Sequence, residues 1–316
     1  MSLASNKSLG CFELVLSQLA VGINLVTAKF LLAAQVPFVF FMQLRFLLGS
    51  VLLGLFVIWQ RQPLIRNQFN HLLSRKDTLV LFWQSACGGF LFNVLMMAGL
   101  QFTTASVASI TFSTFPAVLA ILCWFLLKDY LSRVQMYAFA VAMVGVISIN
   151  IGDHSGLSVG YMHYLGVIFI LLSMLPEALF VILGKWHDCR LSPYVMTFWA
   201  NTINAILFLP FTFFSMRNHS LALITEQQWW WLLAYSLSGG VIFFIFWYRG
   251  IARVTATTAA LITTVTPLST CFFAWLLLNE NINMIQTFGM LCVIISIVSG
   301  SGILSLKFYR RAQKEN

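Results

Sequence analysis

The chain is written twice. Gly10, Ser17, Lys29 and Pro37 recur 156 residues later as Gly166, Ser173, Lys185 and Pro193. Gly88-Gly89, Gly99, Thr104, Ala108, Pro116, Trp124 and Gln135 recur 151 residues later as Gly239-Gly240, Gly250, Thr255, Ala259, Pro267, Trp275 and Gln286. The offset changes by five only between the second and third apolar segments, where one loop differs in length. Whatever the chain folds into must hold two copies of one half-length unit.

Composition then decides the solvent. Of the 316 residues, 60% are hydrophobic and only 9% are charged. A soluble domain carries roughly 25% charged residues. Such a chain cannot cover a water-facing surface, so lipid must surround it. The net charge of +9 does not point to nucleic acid, because the basic residues sit in short loops beside apolar runs, where membrane topology explains them. Cys11, Cys87, Cys123, Cys189, Cys271 and Cys292 form no CxxC or Cys/His pattern. They are read as small buried hydrophobes, with no metal site and no cofactor expected. Glu13 interrupts the first apolar run and no small-residue cleavage site is clear, so a retained first helix is expected rather than a signal peptide.

A membrane span needs about 20 apolar residues. Ten are expected, near 10–33, 36–59, 78–100, 103–127, 133–151, 161–184, 192–215, 229–250, 253–278 and 284–306. Short connections make consecutive helices antiparallel. With the N-terminus in the cytoplasm, fifteen Lys and Arg fall on that side, from Lys7 to Lys314, against Lys29 and Arg217 on the other. Positive charge favours the cytoplasmic face, so both termini are expected inside. Five helices per half is an odd number, so the second half enters from the opposite side and the repeat is inverted. The expected fold is therefore an all-α membrane protein of ten transmembrane helices. Residues 10–151 form one five-helix repeat, 161–306 the other, and 307–316 a basic cytoplasmic tail. Trp59, Trp186 and Trp229-Trp230-Trp231 at span ends suit the membrane interface.

Several stretches carry a resemblance. Pro37 is followed by Arg45-Phe46. Gly99 to Asp129 runs from a short polar turn through an Ala/Ser/Thr run and a mid-helix proline to a terminal acid, and Gly250 to Glu280 repeats it with Thr266-Pro267 and Asn279-Glu280. These residues resemble the drug/metabolite transporter superfamily, and within it the EamA-like family of ten-helix carriers. The likeness covers both copies and essentially the whole chain. Asp129 stands where Glu is usual, and Phe115 precedes Pro116 where small residues are common. The resemblance implies a basket-like bundle whose third, fourth, eighth and ninth helices line a central cavity, helped by the first and sixth. It implies transport of small organic solutes such as amino acids, other metabolites or drugs, often by export.

Pro116 and Pro267 lie near the middle of their spans, so the carbonyls of Phe112 and Thr263 lose their usual partner. Within lipid such a carbonyl must be answered by protein, water or ligand. Hydroxyls crowd around both prolines, Ser113 and Thr264 among them, and are read either as a polar cavity wall or as close helix packing. The prolines, with Pro176, are candidate hinges. Glu177 is the most informative acid, lying inside the sixth span, where a charge costs about 3 kcal/mol on insertion scales. It is read as a site for a cationic solute group, as a proton-coupling carboxyl, or as half of a structural pair with Arg45. Its repeat-mate is Val21. Arg45 lies about nine residues into the second span, roughly 13 Å from its end at about 1.5 Å per residue. It would bind a solute carboxylate or lock helices together. Gln84 and Asn93 are nine apart, about 2.5 turns, so they are expected on opposite faces, with Asn93 preferred for the cavity and Trp83 as a second wall residue. Tyr235, Trp247 and Tyr248 offer aromatic walls on the eighth span. Asn201 and Asn204, a turn apart, share one face suited to interhelical bonding. Glu13 is read as an interfacial or gate residue, and Lys29 and Lys185 as cations near helix C-termini.

These features point to a secondary transporter of a small polar organic solute in a bacterial inner membrane. The expected partners are that solute and the bilayer, with proton coupling one energy source and no nucleic acid. Monomer and homodimer are both compatible. A carrier of larger nucleotide- or cofactor-like metabolites and a lipid-linked flippase are the alternatives. No GxxxxGK[ST] is present, so this chain carries no ATP-hydrolysing loop. An intramembrane enzyme would need clustered chemistry, and the five histidines, His71, His154, His163, His187 and His219, are scattered in loops and at span ends.

Overall fold

The computed structural model describes residues 3–34, 36–62, 74–102, 111–112, 114–128, 132–151, 161–186, 191–215, 225–278 and 284–300. All the regular structure among them is helical, at each of the ten expected places. Seven helices are long and apolar enough to cross a membrane. They fall in the first, second, third, sixth, seventh, eighth and ninth spans, while Phe115–Leu127, Arg133–Ser148 and Met284–Ser299, in the fourth, fifth and tenth, are shorter apolar helices. Tryptophans 59, 186 and 230 are exposed at span ends, as anchoring requires.

Capping chemistry sets several boundaries. The third span begins at Arg75, earlier than hydropathy suggests, because Ser74 caps it: the Asp77 N–H donates to Ser74 Oγ at 3.1 Å and the Ser74 N–H to Asp77 Oδ2 at 2.8 Å. The eighth span begins at Glu226 behind the same box, built from Thr225 and Gln228. The two boxes are repeat-mates at the 151-residue offset. Such boxes satisfy two orphan N–H groups at once, so polar residues that no hydropathy count would include are drawn into the helix. The first span likewise starts at Leu3 rather than near 10.

Neither the third nor the eighth span is one regular α-helix. The third runs Arg75–Ser85, then a π-helical turn Ala86–Leu91, then Phe92–Phe102. The eighth runs Glu226–Ser236, a π-helical turn Leu237–Ile242, then Phe243–Ile251. Each turn contains a glycine pair, Gly88-Gly89 or Gly239-Gly240, and the two turns are 151 residues apart. A π turn adds a residue to the helix and frequently marks a functional site.

The ninth span is broken rather than kinked. Ala256–Ile262 and Val265–Leu278 are separate helices, and Pro267 stands in the first turn of the second, where a missing N–H costs nothing. The Thr263 carbonyl, expected to need an outside partner, accepts from the Thr266 N–H at 3.0 Å. All seven residues of Ala256–Ile262 are buried, so protein sheathes the break. Pro116 occupies the equivalent first turn of Phe115–Leu127.

The two halves interleave. The first two spans pack on the eighth, and the first also on the ninth; the sixth and seventh pack on the third, and the sixth also on the fourth. Equivalent spans meet as pairs, the second with the seventh and the fifth with the tenth. That is the pattern of two like units related by a pseudo-twofold axis, and each half supplies packing surface that the other lacks.

Candidate functional site

The π turns create a demand for hydrogen bonds that polar side chains from other spans meet. On the third span, Asn204 Nδ2 donates to the Ser85 carbonyl at 2.9 Å. On the eighth, Asn24 Nδ2 donates to the Tyr235 carbonyl at 2.7 Å, Asn201 Nδ2 to the Gly240 carbonyl at 2.7 Å and Arg45 Nη2 to the Gly239 carbonyl at 3.1 Å. The glycines admit these groups. A Cβ on Gly239 would lie 2.5 Å from Asn24 Nδ2 and 2.7 Å from Arg45 Nε, and one on Gly89 would lie 2.1 Å from Asn204 Nδ2. The glycine pairs are therefore docking points for cross-bundle side chains.

Arg45 is thereby committed. Besides the Gly239 carbonyl it reaches Asn24 Oδ1 at 3.5 Å, and its guanidinium lies 5.0 Å from the Phe46 ring centroid and 5.7 Å from that of Tyr235. Of the two readings, helix locking and solute binding, its contacts are those of the lock. Asn24, buried beside it, was not singled out from sequence; its repeat-mate is Phe180, so the duplication hid it.

Glu177 is different. On its helix, Ile168, Leu172, Leu175 and Leu179 form the exposed stripe that faces lipid. At about 100° per residue Glu177 points the opposite way, level with buried Ile170, Ser173 and Val181. Its partly exposed side chain thus opens into the bundle and away from lipid. Among the described residues Glu177 makes no ion pair and no hydrogen bond. The structural pair with Arg45 is therefore not formed. One turn along, Phe180 stacks on Trp247 at 5.6 Å between centroids and meets the edges of Phe244 at 6.2 Å and Tyr248 at 6.1 Å. The buried Trp247 Nε1 has no acceptor among the described residues. Phe180 could have been found from sequence by its three-residue spacing from Glu177.

The remaining expected residues scatter. Asn93 is buried and donates to the Gly89 carbonyl at 2.5 Å. Gln84 is buried too, donating to the Phe180 carbonyl at 3.4 Å. The expectation that they face opposite sides is corrected by the π turn between them: one inserted residue rotates the rest of the helix by about 100°, bringing both toward the interior. Trp83 is 51% exposed beside Leu79 and Phe82 on the outer stripe of its helix, so it does not line the interior. Thr264 is buried and spends its hydroxyl on the Leu261 carbonyl at 2.6 Å. The Tyr235 hydroxyl donates to Met42 Sδ at 3.2 Å, and Tyr248 is buried within the aromatic cluster. Pro176 lies within the unbroken sixth helix. Ser113 lies outside the described residues, as do the side chain of Lys29 and residues Asp129 and Glu280.

A second ionic cluster lies at one end of the bundle. Glu13, 3% exposed at its side chain, accepts from Arg249 Nε at 2.8 Å and from Arg253 Nη1. Arg249 also reaches the Tyr194 hydroxyl at 3.4 Å, and Lys185 Nζ donates to the Val254 carbonyl. These contacts tie the first, sixth, seventh and eighth spans together beside the start of the ninth. From sequence, Arg249 and Arg253 counted only as topology charges.

The fold and this interior define a multi-pass helical membrane protein of the transporter class. The chain belongs to the EamA-like transporter family, whose model matches residues 8–151 and 164–300. It is 30% identical to the uncharacterized transporter YetK of Bacillus subtilis, over 91% of this chain and 86% of that one. It is 24% identical to an uncharacterized transporter of Archaeoglobus fulgidus, covering 80% of this chain and 84% of that one. It is 22% identical to the chloroplastic WAT1-related protein At3g02690 of Arabidopsis thaliana, covering 87% and 65% respectively. A solved crystal structure 12% identical in sequence shares the fold, with a TM-score of 0.75 over 95% of this chain and 99% of that one.

Proposed function

We propose that this transporter is a secondary carrier of a small polar organic solute, working by alternating access between two inverted halves, with both termini in the cytoplasm of a bacterial cell. A proton or solute gradient supplies the energy. The observation that carries this reading is Glu177, a carboxyl group inside the sixth span that faces the bundle interior without a bonded partner among the described residues. A purely structural membrane protein would gain nothing from a group that costs about 3 kcal/mol to insert. The interleaved halves suit alternating access, because each half grips the other through the π-turn glycines. The Glu13–Arg249–Arg253 cluster then closes the cytoplasmic end in this conformation.

Reconstitution into liposomes tests the proposal. Saturable, solute-specific tracer flux is expected, and Glu177→Gln should lower it at least about tenfold, the scale of one lost charge-assisted contact, with the folded yield unchanged. Linear, unselective leakage, or wild-type flux in the variant at every pH, would refute it.

A further inference from the structure

We infer that the solute carries a positively charged amine, and that Glu177 is the group that binds it. The inference rests on the carrier reading but fixes what that reading leaves open, the sign of the charge recognised. Three observations carry it. First, the two membrane-embedded charges are treated oppositely. Arg45 is engaged by the Gly239 carbonyl and Asn24 Oδ1, and its Nε is buried against Gly239. A solute carboxylate would have to displace those bonds to claim the guanidinium. Glu177 is partly exposed toward the interior and bonded to none of the described residues, so its oxygens are the ones a solute can reach. Second, the sixth helix presents Phe180 one turn from Glu177 and on the same side. Phe180 stacks on Trp247 at 5.6 Å, and Trp247 stacks in turn on Phe243 at 5.9 Å. Phe180 and Trp247 are buried and cover one another's faces, so they form a packed apolar wall beside the carboxyl, and the group left for the solute is the carboxylate, which a charged amine can satisfy. Third, the repeat places Val21 and Asn24 at the positions equivalent to Glu177 and Phe180. Asn24 serves the helix backbone there. The carboxyl exists in one half only, as expected of a site for a single solute and not of a scaffold element.

Equilibrium binding to the purified full-length chain tests this separately from transport. Three probes of one shape are 2-phenylethylamine, 2-phenylethanol and phenylacetate, compared at neutral pH by thermal shift and tryptophan quenching. The amine should stabilise the protein, and the alcohol and carboxylate should bind at least about tenfold more weakly, as one charge-assisted contact implies. Glu177→Gln should remove the preference for the amine while leaving the unliganded unfolding temperature near wild type. Should that variant fail to fold, Glu177→Asp keeps the carboxylate and should retain the preference for the amine over the alcohol and phenylacetate; loss of that preference in Glu177→Asp would overturn the inference. Equal binding of the three probes, tighter binding of phenylacetate, or unchanged amine binding in Glu177→Gln would overturn the inference. Flux competed by carboxylates and not by amines would do the same while leaving the carrier intact. Glu177-dependent amine binding without flux of that amine would uphold the site and refute the carrier.

Discussion

Gly239 shows how much a single residue decides here. Its missing side chain is what lets Asn24 and Arg45 reach the backbone of the eighth span, and a Cβ would meet their nitrogens at 2.5 and 2.7 Å. Gly239→Ala should therefore cost about 1–3 kcal/mol by overpacking, read as a lowered unfolding midpoint in detergent. Asn204→Leu should destabilise by a similar amount, about 1–3 kcal/mol, because the Ser85 carbonyl would be left unpaired in a setting without water. Arg45→Lys should not restore what Arg45→Ala removes, since an ammonium lacks the planar fork that spans Gly239 and Asn24. The glycine pairs were visible in the sequence as repeated small residues, but nothing local to them named the groups they admit. Their partners lie on other spans, Arg45 being 194 residues from Gly239.

At the scale of elements, the ninth span carries the sharpest expectation. Pro267→Ala restores an N–H four residues after Thr263, so the two pieces Ala256–Ile262 and Val265–Leu278 can fuse into one helix. Turnover should fall several-fold while the half-saturating concentration stays within about twofold, the pattern of a lost conformational step. Slower amide exchange at Thr263–Thr266 would accompany it; unchanged exchange with weakened binding would contradict the hinge. The place of the break was legible from the proline and the hydroxyl run, because both act locally; that one helix ends there and another begins was not. The π turns were not. Nothing in Ala86–Leu91 or Leu237–Ile242 forces an extra residue per turn, and what sustains it is the set of amides arriving from the first and seventh spans.

For the whole molecule, the end cluster is the contact that the proposed alternating access would have to break. Glu13→Ala removes the acceptor of both Arg249 and Arg253. The arginines are about a third exposed, so the stability loss should stay near 1 kcal/mol once solvent screening is allowed for. The larger expected effect is on access. A cysteine placed at Val254, buried in this conformation, should react faster with a cytoplasmic thiol reagent in the Glu13→Ala background. Unchanged reactivity would mean that the cluster is not a latch, and labelling only from outside the cell would invert the proposed orientation.

The sequence alone determined that the chain lives in lipid, that it has ten apolar segments, and that its halves are copies. Each of these is a local sum: hydropathy over a window, charge over a loop, identity at a fixed offset. Tertiary structure alone decided which charge was engaged and which remained accessible. Arg45 and Glu177 read almost alike as embedded ions, and only the arrival of Asn24 and the Gly239 carbonyl at one of them separates an engaged charge from an accessible one. The same holds for Gln84 and Asn93, whose relative facing was changed by one inserted residue. Side-chain direction along a helix depends on every turn before it, and the turns that matter are held by residues more than a hundred positions away.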